Sequence, residues 1–63
     1  MVVNIIHYTH LANGGARGTI LVQDQYRHQS NRKLSLSGAQ RIIKKQFPHC
    51  DPVATSVETF IVE

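Results

Sequence analysis

The chain has 63 residues, a formal net charge of +3 and one cysteine, Cys50. That length admits one domain, residues 1–63, which buries only about 60% of its unfolded surface. A lone cysteine excludes an internal disulfide and suits a reducing compartment. Met1–Ile6 is apolar but has no basic flank and breaks at His7, so no secretory signal is read. No apolar run approaches the ~20 residues of a membrane span. The expected location is the cytoplasm, a host cytoplasm if the chain is phage-encoded.

Charge is segregated along the sequence. From Gln25 to Cys50 there is no Asp or Glu, yet that stretch holds Arg27, Arg32, Lys33, Arg41, Lys44 and Lys45, every basic residue except Arg17. The acids Asp24, Asp51, Glu58 and Glu63 all lie outside it. A separation of this kind creates a positive field that attracts anionic partners.

In chain order, Val2–Thr9 carries Val, Ile, Tyr and Thr and reads as a strand. Residues 11–18 contain Asn13-Gly14-Gly15 and predict a reversing loop with a long, mobile tip. Thr19–His28 is a second strand, with Ile20, Val22 and Tyr26 on one face and Thr19, Leu21, Gln23 and Gln25 on the other. A hairpin centred near Gly14 and Gly15 sets His10 opposite Thr19, Tyr8 near Leu21, Tyr26 near Val3 and His28 near Met1. Gln29–Lys33 is a polar connector. Ser37 then has the N-cap role, with Gln40 at capping-box spacing. Ala39, Ile42, Ile43 and Phe47 form an apolar stripe, with Gln40, Arg41, Lys44 and Lys45 on the other side. Pro48 ends this helix, Gly38–Phe47. Asp51-Pro52 turns the chain into a third strand, Val53–Val62. On it Val53, Thr55, Val57, Thr59 and Ile61 share one face, and Phe60 and Val62 the other.

The expected fold is α+β in the order β-β-α-β: a three-stranded antiparallel sheet, order 2-1-3, with one helix packed on one face. The second face retains apolar side chains, so a homodimer or insertion into a larger assembly is a further expectation.

Catalytic and metal chemistry find little support in the residue pattern. His7 and His10 point to opposite faces of a strand, and His28 and His49 do not converge on them, so neither a metal nor another cofactor is expected. Cys50 beside His49 lacks an orienting group, and the acids are scattered, so the chain is not expected to be an enzyme. Gly14–Gly18 joins two strands and lacks the Lys of a phosphate loop, though Arg17 on the tip can reach a partner. Tyr8 and Tyr26 suit packing better than base stacking. The candidate binding residues are Arg32, Lys33, Gln40, Arg41, Lys44 and Lys45, with Arg17. Arg41, Lys44 and Lys45 share one helix side at i, i+3 and i+4. Lys44 and Lys45 also complement the helix dipole, a role that leaves Arg32, Lys33 and Arg41 unexplained.

Ser35-Leu36-Ser37-Gly38-Ala39-Gln40-Arg41-Ile42-Ile43-Lys44-Lys45, followed by Phe47 and later by Val57-Glu58-Thr59, resembles a family of small basic type I-F anti-CRISPR proteins from phage. The family pattern is close to T-L-S-x-A-K-R-I-x-x-K before a strand ending in E-T. It also opens with an Ile-Ile strand and a hairpin, and the similarity covers about half the chain. The resemblance implies binding to a crRNA-guided surveillance complex, in the positively lined path for target DNA, so that hybridisation is blocked. Its helix contacts map onto Gln40, Arg41 and Lys45, with Gln40 in place of a Lys. The family pattern continues into further strands. The expected function is therefore a phage-type inhibitor that binds a protein or ribonucleoprotein complex. A small dimeric DNA- or RNA-binding regulator and a structural assembly subunit are the alternatives.

Overall fold

The computed structural model describes residues 1–62. The chain forms strand β1 (Val2–Asn13), strand β2 (Thr19–Ser30), helix α1 (Leu36–Gln46) and strand β3 (Val53–Ile61). The sheet is three-stranded in the order β2-β1-β3, and both pairings are antiparallel. This is the β-β-α-β arrangement and strand order expected from the sequence.

β1 is central because its Val, Ile and Tyr side chains suit a strand covered from two sides. Its even-numbered residues face α1, and cross-strand partners share that face. Ile6, Tyr8, Ala39, Ile43 and Ala54 form the core, with Tyr26, Leu34, Ile42, Phe47 and Val57 packed around it. Phe47 stacks on Tyr8 at 5.7 Å and meets Tyr26 edge-on at 5.7 Å. Both tyrosines therefore pack in or against the core, the role expected for them over base stacking.

The hairpin is longer and tighter than expected. β1 continues to Asn13, and a 3-10 turn, Gly15–Arg17, replaces the long loop. Gly14 N–H donates to Gly18 O at 2.6 Å, and Asn13 Oδ1 accepts from Gly15 N–H at 2.9 Å. Gly15 (φ 65°) and Gly18 (φ 78°) take backbone angles that a Cβ disfavours. Because Leu11–Asn13 belong to β1 and not to the loop, the hairpin centres on Ala16. The register moves accordingly: His10 pairs with Val22, Tyr8 with Asp24, Ile6 with Tyr26 and Asn4 with His28. β2 also runs two residues past His28, to Ser30.

Two more corrections concern the second half. The N-cap is Ser35, not Ser37: Ser35 Oγ accepts from Gly38 N–H at 3.1 Å, and the helix starts at Leu36. β3 is bulged opposite His7 and Tyr8. Ser56 pairs with His7 and Ala54 with Tyr8, which leaves Thr55 as the extra residue. The Thr55 hydroxyl donates to His7 O at 3.1 Å. The bulge turns Val53 to the face away from the helix, while Val57, Thr59 and Ile61 stay on the helix side.

β3 pairs with β1 only from Val2 to Thr9. Beyond Thr9 the hairpin projects as a two-stranded ribbon, which makes the molecule elongated, 46 × 17 × 15 Å.

Candidate functional site

The outward face of α1 follows from its inward one. Ala39 and Ile43 are buried against the sheet, and Arg41 stands two residues from each, on the opposite side. Lys44 and Lys45 flank it, and all three are exposed. Arg32 and Lys33, also exposed, lie in the connector that leads into the helix.

A buried amide sets that connector in place. Asn4 is fully buried, and its side chain is saturated. Its Nδ2 donates to Ser30 Oγ (3.2 Å) and Arg32 O (3.0 Å), and its Oδ1 accepts from Leu34 N–H (3.1 Å) and the Thr59 hydroxyl (2.9 Å). The backbone carrying Arg32 and Lys33 is thus tied to the central strand.

Among the described residues no acidic side chain pairs with these cations. Among the described residues the ion pairs are His7 Nε2 to Glu58 Oε1 at 2.6 Å and His10 Nε2 to Asp24 Oδ2 at 3.6 Å, and neither involves a Lys or Arg. The structure brings Arg41, Lys44 and Lys45 onto one helix face and holds Arg32 and Lys33 ahead of it.

Two expected site residues lie elsewhere. Gln40 turns inward: its Nε2 donates to Pro52 O at 2.9 Å, and its Oε1 accepts from Ala54 N–H at 2.6 Å. Its amide clamps the start of β3 to the helix and is not part of the basic row. Arg17 sits at the ribbon tip, roughly 20 Å of strand beyond Tyr8, and does not join the helix face.

The sheet face away from α1 holds a shallow polar groove of about 400 Å³, lined chiefly by His7, Gln23, Gln25, Thr55, Ser56 and Glu58. Ser56 and His7 are cross-strand neighbours, but no hydrogen bond joins them, and Glu58 occupies His7 Nε2. Among the described residues no group of three His, Cys, Asp or Glu side chains is placed to hold a metal. Among the described residues no helix is long and apolar enough to cross a membrane. Burial raises the Tyr8 phenol above its ordinary pKa, and the negative charges of Asp24 and Cys50 add to the effect.

Asn4 and the groove escaped the sequence reading. A single Asn within an apolar strand is the one signal that marks Asn4 in advance, since a buried amide requires partners. Fold and surface together define a small α+β domain with a basic helix face. Comparison with known proteins finds no match: no family model, no curated protein and no solved structure matches the chain.

Proposed function

We propose that this domain is a small phage-type inhibitor that docks on a CRISPR surveillance complex through the outward face of α1 and blocks access of target DNA. The observation that carries the proposal is the exposed row Arg41, Lys44 and Lys45, which lacks any acidic partner among the described residues. Its likeness to the anti-CRISPR helix supplies the target. Guanidinium and ammonium groups held on a rigid helix suit the carboxylates and crRNA phosphates of a ribonucleoprotein. Arg32 and Lys33 extend the contact. Gln40, spent on Pro52 and Ala54, supports the helix from behind.

The test is binding of the purified chain to a type I-F surveillance complex, beside free duplex and single-stranded DNA at two salt concentrations. The inhibitor reading expects tight binding to the complex and loss of target-DNA capture. It expects R41E/K45E to weaken complex binding at least ~10-fold, about 1.4 kcal/mol. Micromolar, salt-steep binding to free nucleic acid, abolished by the same substitutions, replaces that reading with a nucleic-acid-binding regulator. If the substitutions leave every interaction unchanged, the row is a solubilising face.

A further inference from the structure

The two edges of the sheet are built differently. β3 carries the Thr55 bulge and is entered from Pro52, two devices that interrupt edge pairing. β2 has neither. Its twelve residues, Thr19–Ser30, pair with β1 without a shift in register. It contains no Pro or Lys, and Arg27 is its one Arg. A strand of this length and regularity presents a row of backbone groups that another strand can join.

The pairing fixes which groups those are. Leu11 N–H donates to Cys50 O, outside the hairpin. Leu11 and its partner Leu21 therefore do not exchange backbone bonds, and antiparallel pairs alternate in this respect. By that alternation the Thr9–Gln23, His7–Gln25 and Ile5–Arg27 pairs are of the same kind. The N–H and C=O groups of Leu21, Gln23, Gln25 and Arg27 thus point out from the β2 edge.

One of these groups is already taken. Gln25 N–H donates to Asp24 Oδ1 at 2.8 Å, and Asp24 Oδ2 lies 3.6 Å from His10 Nε2. The occupied amide sits near the middle of the strand, where any long pairing must pass. An added strand needs that N–H for one of its own carbonyls, and instead sets the carbonyl oxygen against a carboxylate oxygen. It also strips water from a charged side chain that is 57% exposed.

We propose that the Asp24 carboxylate is the block on the β2 edge: by holding the outward N–H of Gln25, it keeps a second copy of this chain from extending the sheet strand to strand. The device is separate from the helix face and independent of the function proposed for it. The test is sedimentation equilibrium of the full chain over micromolar to millimolar concentrations, with circular dichroism to confirm the fold of each variant. The wild type is expected at the 7.1 kDa of one chain, and D24A at twice that mass or more. D24A gives up an exposed contact with His10, which contributes little to the fold. D24A/Q25P lacks both the block and the N–H that it covers. That N–H makes no bond to β1, and an edge strand tolerates Pro at such a position, so the mass should return to that of one chain. Hydrogen exchange of the wild type reads the device without any substitution: Gln25 N–H should exchange more slowly than the outward N–H groups of Gln23 and Arg27. A wild type already above monomer mass overturns the proposal, as does a folded D24A at monomer mass. So do a folded D24A/Q25P that associates as D24A does, or a Gln25 amide that exchanges as fast as those of Gln23 and Arg27.

Discussion

The side-chain oxygen of Asn4 accepts a hydrogen bond from Leu34 N–H at 3.1 Å, joining the central strand to a residue thirty positions on. The same oxygen takes the Thr59 hydroxyl at 2.9 Å, so one amide links β1, the connector and β3.

Asn4→Ala should therefore be the most damaging conservative truncation in the sheet. It strands Leu34 N–H and the Thr59 hydroxyl, while the Ser30 hydroxyl and Arg32 O keep each other at 2.6 Å, and each buried unsatisfied group costs about 1–3 kcal/mol. The expected loss is about 3 kcal/mol, against a total of roughly 3–9 kcal/mol for a domain of this length. Thr59→Val should lose about 1 kcal/mol. Urea unfolding followed by circular dichroism measures both, and equal small losses would contradict the hub role of Asn4.

Ser35 and Ser37 compete for one cap, and the structure assigns it to Ser35. Ser35→Ala should lower stability by about 1 kcal/mol, and Ser37→Ala by less than about 0.5 kcal/mol. Thermal unfolding of the two variants checks the order, and the reverse ranking would return the helix start to Ser37.

Gln40 separates stability from binding. Gln40→Ala leaves Ala54 N–H and Pro52 O without their partners and should lower stability by about 2 kcal/mol. Below its unfolding temperature the variant should bind a partner of the helix face as the wild type does. Calorimetric unfolding beside a binding titration reads both quantities. Weakened binding with unchanged stability would mean that Gln40 is itself a contact residue.

Tyr8 sets an alkaline limit. Burial, then the charges of Asp24 and Cys50, raise its folded-state pKa above that of an exposed phenol. The unfolded chain therefore releases this proton first as pH rises past about 10, and the folded state loses stability from there up to its own higher pKa. Below about pH 10 the contribution is intact. Tyr8→Phe, which keeps the stack on Phe47, should flatten the fall in urea midpoint between about pH 9 and pH 11. An equally steep fall in the variant would assign the effect to other groups.

Local patterns read well in this sequence and long-range ones did not. The alternation of Ile20, Val22 and Tyr26 and the helical spacing of Ala39, Ile43 and Phe47 are set by backbone periodicity, so strands, helix and strand order could be anticipated. Hairpin register depended on whether Leu11–Asn13 belong to the first strand or to the loop, which local composition does not reveal. The face of Val53 depended on the bulge at Thr55, which arises from pairing with a strand far away in sequence. Gln40 counts as polar in any helical wheel, yet it turns inward because β3 presents it with a carbonyl and an amide. The exposed row of Arg41, Lys44 and Lys45 was legible because a cation without a buried partner stays on the surface.

Past Thr9, two strands and a glycine turn hold the ribbon, with Leu11 N–H also bonded to Cys50 O at 2.9 Å. Trimming one residue from each arm beyond that bond preserves every pairing nearer the helix. An unequal trim instead slides the arms past one another and exchanges their inner and outer side chains. The reach of Arg17 is thus an adjustable length, varied in matched steps without disturbing what meets the helix.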